Sequence, residues 1–177
     1  MVRKESPIQI LVLGIGHIDK GDAGVGVHTV EILRRKFQIP PGIQVSDGVS
    51  MGKELHRSMA QARHIILVDA LRAGAEPGSL LKLVGKEIPD FINHQAAVNE
   101  NGLSSILSQS NMTQEQLATI TLYGIEPADL DTGQRLSGEV APQAERLANF
   151  LAEELERLGF SVPPRGLLST GSTLPTS

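Results

Sequence analysis

The chain of 177 residues contains no cysteine. That absence excludes a disulfide framework, a thiolate zinc site, an iron–sulfur cluster and any cysteine nucleophile. An excess of basic residues is also missing: 16 Lys and Arg stand against 20 Asp and Glu, for a formal net charge of -4. Nothing along the chain therefore forms the electrostatic footprint of a nucleic-acid binder or of a protein held on an anionic membrane. No apolar run reaches the length of about 18 residues needed to cross a bilayer. The opening "MVRKESPIQILVLG" continues as a strand instead of ending in a small-residue cleavage site, so the expectation is a soluble, cytoplasmic protein.

What is present is a single domain's worth of hydrophobic residues, 40% of the chain, enough for one sizeable core. Four apolar runs rich in branched side chains read as strands: Ile8 to Leu13, Ile43 to Ser46, His64 to Val68 and Thr119 to Tyr123. Leu80 to Val84 is a weaker fifth. Continuous rather than alternating hydrophobicity implies strands covered on both faces, hence a mostly parallel sheet. Helical stripes fall between the runs: Val30, Leu33 and Phe37; Leu55 and Met59; Leu103, Ile106 and Leu107. A final helix carries Val140, Ala144, Leu147, Leu151, Leu155 and Leu158 at intervals of three and four, with Ser137 placed to cap its start and Gly159 to end it. Alternating strands and helices define an α/β fold, an open, doubly wound α/β/α sandwich spanning residues 1–160. The Pro-, Gly- and Ser-rich residues 161–177 are expected to form a flexible tail.

Ligands in such sheets sit beyond the carboxyl ends of the strands. There the sequence places His17 to Asp22, Asp47 to Ser50, Asp69 to Arg72 and Glu126 to Asp131. The first of these, within "LVLGIGHIDKGDAGVGVHTVEIL", is crowded with glycine and raises the question of a phosphate cradle. The dinucleotide spacing fails because Asp19 stands where the third glycine belongs, and no Lys-Ser/Thr pair closes a P-loop. Two carboxylates and an imidazole suit a divalent cation such as nickel or zinc better than a pyrophosphate. The alternative is that Asp22 caps the following helix and the glycines simply permit the turn. Asp69 ends a buried strand, where a carboxylate needs a specific partner. Asp47 lies in an Asp-Gly turn pattern. His28, His56 and His64 read as structural, whereas His17 and His94 read as loop residues.

In order and spacing, "LVLGIGHIDKGDAGVGV", "VSDGVSMGKEL", "IILVDALRAGAEPGSL" and "LYGIEPADLDTGQRLSGEV" followed by the terminal helix resemble the hydrogenase maturation endopeptidases, from Ile8 to Leu158. The resemblance implies a five-stranded α/β/α domain. It also implies an enzyme that removes a short C-terminal extension from a nickel-containing hydrogenase large-subunit precursor, its partner, after metal insertion. Nickel is then a cofactor carried by the substrate, recognised through an acidic residue in the first turn, an aspartate after the third strand and a histidine in a later loop. The metal serves as a handle and as a Lewis acid. The aspartate matches Asp69, the residue expected to be catalytic and to meet the metal. The acidic position falls on Ala23 and the histidine position on Asn99, neither of them a ligand for nickel. His17 stands where the family has asparagine. Three readings follow. Either the site is rebuilt from His17, Asp22, Asp69 and His94 or Glu100, with Asp47 and Asp129 shaping the substrate cleft; or the chain docks the precursor without cutting it; or Ala23 is an engineered change.

Overall fold

A computed structural model of the chain describes residues 7–94, 102–131 and 133–166. Five strands, β1 (Ile10–Gly14), β2 (Ile43–Asp47), β3 (His64–Ala70), β4 (Leu80–Val84) and β5 (Ile120–Ile125), form one sheet in the order β2-β1-β3-β5-β4. All neighbours are parallel except β4, which runs antiparallel to β5 at the edge. The helices are α1 (Val25–Lys36), α2 (Gly48–Met51), α3 (Glu54–Gln61), α4 (Glu87–His94), α5 (Leu103–Gln109), α6 (Gln114–Leu117) and α7 (Ala141–Arg157).

Every residue of β1 is buried, because both of its faces are covered. Alternation along the strands splits the core in two. Ile10, Val12 and Val68 pack with Val30 and Leu33 of α1 and with Ala144, Leu147, Leu151 and Leu155 of α7. Leu11, Leu13 and Leu67 pack with Leu55 and Met59 of α3, Ile88 of α4 and Leu103 and Ile106 of α5. The result is the three-layer α/β/α sandwich expected from the alternating runs. The weaker fifth run is weak because β4 is an edge strand: Leu80 is 52% exposed and Val84 43%. Leu158 departs from the helical stripe assigned to it and is exposed, since the α-helix ends at Arg157.

The first-turn glycines serve packing. A Cβ on Gly14 would stand 2.3 Å from the carbonyl oxygen of Gly26, and one on Gly26 would stand 2.1 Å from that of Val68 and 2.3 Å from that of Ile15. Only hydrogen at these two positions lets α1 lie directly on β1 and β3, as glycine does at close backbone approaches generally. Gly14 and Gly26 are thus accounted for by helix-on-sheet contact.

The segment from Ser161 differs from the tail expected there. Val162 is buried in the core between the sheet and α1 and α7. The Pro163 carbonyl accepts from Gln38 N at 2.9 Å, and Arg165 N donates to the Lys36 carbonyl at 2.7 Å. Residues 161–166 therefore belong to the domain, and the remainder of the expected tail, 167–177, lies outside the described residues. Ending the chain at residue 160 should cost roughly 2 kcal/mol, the burial of one valine, read as a lowered urea midpoint. An unchanged midpoint would show that the segment adds nothing.

Candidate active site

The carboxyl ends of β1, β2, β3 and β5 lie at one edge of the sheet, where the segments that follow β1 and β2, together with α5, build a cleft. His17 sits in the turn after β1. Its backbone N–H donates to the Ala23 carbonyl at 3.3 Å, and its own carbonyl accepts from Lys20 N at 3.2 Å. The ring is half-exposed and borders two cavities. One, of about 310 Å³, is walled by Ile15, Val49, Leu55, His56 and Ile106; the other, of about 300 Å³, is edged by Asp19, Glu31 and Asp47. Asp47 ends β2 and caps α2, with Oδ1 accepting from Ser50 N at 2.7 Å. The Asp-Gly pair is thus a helix start that also faces a cavity.

Asp69 occupies the penultimate position of β3, two residues from Leu67 and Leu71, so alternation sets it on the α3–α5 face that also holds Ile15 and the cavity beside His17. It is 2% exposed, and Oδ1 accepts from Ala70 N at 2.8 Å. A cation coming from solvent reaches this carboxylate only after the neighbouring side chains move.

Two of the expected ligands, Asp22 and His94, need correction. Asp22 is fully buried, borders neither cavity beside His17 and does not cap the following helix. Its Oδ2 accepts from Ala128 N and Asp129 N, each at 2.9 Å, and from Ser137 Oγ at 2.8 Å; its Oδ1 accepts from Ser137 N at 2.7 Å. Four internal donors leave this carboxylate nothing to offer a metal. His94 ends α4 in an exposed position, with Nδ1 2.6 Å from the Asp90 carbonyl, and borders neither cavity beside His17. Among the described residues no three His, Asp or Glu side chains converge to hold a metal ion, so the expected four-ligand set is not assembled in the free chain. Ala23 is 1% exposed and part of the packed first turn. Asn99 and Glu100 lie outside the described residues. Asp129 is exposed and borders neither cavity; its Oδ1 closes a local turn on Asp131 N at 2.8 Å.

One residue beside the cavities, His56, escapes a reading of the sequence, and Glu126 is reached only as the first residue of the stretch after the last strand. His56, grouped by its sequence context with the structural histidines, borders the cavity of about 310 Å³ next to Leu55, and its Nδ1 is buried without a hydrogen-bond partner among the described residues. Neither spacing nor motif marks it. Glu126 is 8% exposed and its Oε2 accepts from Ala73 N at 2.6 Å and Ala75 N at 3.3 Å. Its one signal in the sequence is its place as an acidic residue directly after a buried strand.

A parallel α/β sheet with its cleft at the carboxyl edge, glycines that seat the first helix, and carboxylates following three strands define a class of enzyme scaffold whose chemistry lies in that cleft. Comparison with known proteins identifies the family. The family profile described as hydrogenase maturation protease (HycI) matches residues 27–154. The hydrogenase 2 maturation protease of Escherichia coli K12 is 30% identical over 159 residues, covering 89% of this chain and 97% of that protein. The hydrogenase expression/formation protein HupM of Azotobacter chroococcum is 33% identical over 160 residues, covering 89% of this chain and 77% of that protein. The solved structure of the hydrogenase maturating endopeptidase HybD from E. coli superposes with a TM-score of 0.77 at 30% identity, over 89% of this chain and 98% of that one. The chain belongs to the hydrogenase maturation protease family, and it is a peptidase. No helix among the described residues is long and apolar enough to cross a membrane.

Proposed function

We propose that this peptidase removes the C-terminal extension of a nickel-containing hydrogenase large-subunit precursor in the cytoplasm, after the metal has been inserted. Membership of the family supports the reaction. The observation that supports the assignment of the site is that the Asp69 strand end and the His17 turn follow adjacent parallel strands at the same carboxyl edge of the sheet, with Asp69 on the face that holds the cavity beside His17 but lining neither cavity itself.

In this reading the nickel arrives as part of the substrate. Asp69 is the carboxylate that meets it, in the docked complex and not in the free enzyme, because 2% exposure leaves no path for a free ion. His17 supplies an imidazole from the cleft side, a donor suited to nickel. A metal held there would supply Lewis-acid polarisation of the scissile carbonyl; in the hydrolysis water adds to that carbon, and the C–N bond breaks as the leaving amine takes up a proton. No cysteine is available as a nucleophile, and none is required. The cavity edged by Asp47 receives the chain next to the cut. Ala23 contributes no ligand, so recognition rests on fewer donors from this chain than the family pattern implies.

The test is to mix the purified protein with nickel-loaded and with nickel-free precursor and to follow the C-terminal mass. Loss of the extension from the nickel-loaded form alone is the expected result. Equal cleavage of both forms would remove nickel from the recognition step, and binding without any change in mass would make the chain a docking factor.

A further inference from the structure

The segments that follow β1, β3 and β5, three adjacent strands, are joined to one another by two buried carboxylates. Asp22 joins the first to the third through its four acceptor contacts with Ala128, Asp129 and Ser137. The same junction is doubled by backbone bonds: Asp22 N to the Asp129 carbonyl at 2.8 Å, Gly21 N to the Gly133 carbonyl at 2.8 Å and Gly133 N to the Asp19 carbonyl at 2.9 Å. Glu126 joins the second to the third by holding Ala73 N and Ala75 N on one oxygen. Among the described residues neither carboxylate forms an ion pair with lysine or arginine; each is satisfied by N–H and O–H donors.

His17 rides on the first of these segments, and Asp69 stands at the root of the second. Each is thereby fixed against the segment after β5 and so against the other. We infer that Asp22 and Glu126 are positioning residues for peptide cleavage: they hold the turn bearing His17 and the strand end bearing Asp69 in register without touching the substrate. This inference rests on the function proposed above and adds residues that the reaction itself does not use. Buried carboxylates accepting several directed donors fix geometry in a way that apolar packing of the same volume does not.

The bond pattern makes the two residues respond differently to loss of charge. Both oxygens of Asp22 are used, so Asp22→Asn presents an amide N–H to at least one facing donor and breaks the junction. Glu126 uses Oε2 alone, so Glu126→Gln can keep its amide oxygen there, whereas Glu126→Ala cannot. With nickel-loaded precursor as substrate, Asp22→Asn and Glu126→Ala are expected to lower kcat by about 10- to 100-fold, with KM within about twofold of wild type, because misplacement by a fraction of an ångström acts on the chemical step. Glu126→Gln should recover most of the rate. Circular dichroism melting confirms that each variant is folded at the assay temperature. If Asp22→Asn does not fold, Ser137→Ala, which removes one donor of four, is expected to fold and to lose about threefold in kcat.

Folded Asp22→Asn or Ser137→Ala with wild-type kcat would overturn the inference. So would Glu126→Gln as impaired as Glu126→Ala, because charge and not the placed oxygen would then be what matters. A wild-type protein that leaves the precursor uncut would instead overturn the functional reading. The junction itself is still read by the imidazole NMR signals of His17, which should shift in Asp22→Asn.

Discussion

Asp69→Asn is expected to reduce processing of nickel-loaded precursor by at least about 100-fold, the scale on which removing one electrostatic stabiliser acts. The amide is isosteric and can still accept from Ala70 N, and circular dichroism melting of the variant is the control for folding. The loss then belongs to the chemistry: a neutral amide oxygen is a far weaker partner for nickel than a carboxylate. His94→Ala is the matched control. His94 is exposed and its Nδ1 lies against its own helix, so its removal should leave the rate within about twofold of wild type. Equal effects of the two substitutions would place the metal contact elsewhere in the cleft.

Gly26→Ala carries the largest expected loss of stability. The added methyl would meet two carbonyl oxygens and a backbone nitrogen of β3 and the turn after β1, at 2.1, 2.3 and 2.7 Å, and backbone cannot swing aside as a flexible side chain does. The helix α1 must lift from the sheet, at a cost of about 3 kcal/mol, the upper part of the range for overpacking. Urea denaturation reads this directly. Gly138→Ala is the contrast, because nothing lies within 4 Å of a Cβ built there, and its effect should stay within about 0.5 kcal/mol. Because Gly26 follows closely on the turn bearing His17, a folded but shifted Gly26→Ala would also lose activity.

These two sites separate what is legible in the sequence from what is not. Central strands are legible because burial on both faces makes them continuous apolar runs. Helix α7 is legible because alanine and leucine at intervals of three and four come to one face only when the chain is helical. The edge position of β4 weakens its signal for the same reason in reverse. Asp69 stands out as a carboxylate after a buried strand. The role of Asp22 does not: its partners Ala128, Asp129 and Ser137 lie 106 to 115 residues away in the chain, and no local pattern encodes them. Ser137 reads as a helix cap, and it does accept from Val140 N at 3.3 Å, but the same hydroxyl donates to Asp22. His56 escapes notice because the face it presents depends on how α3 lies against the first turn. The short terminal segment reads as tail because Pro and Gly suggest mobility, whereas one buried valine, two bonds to the end of α1 and one to Gln38 dock it.

A two-ligand contribution from Asp69 and His17, in place of the acidic first-turn residue that Ala23 lacks, is the central chemical claim. It is tested most directly by locating the nickel in a complex of the wild-type enzyme with nickel-loaded precursor whose scissile peptide is replaced by a non-hydrolysable bond, from the anomalous signal of the metal. Nickel beside the side chains at positions 69 and 17, at coordination or near-coordination distance, is the expected result. Nickel held only by the precursor's own ligands, with both side chains turned away from it, would contradict the claim.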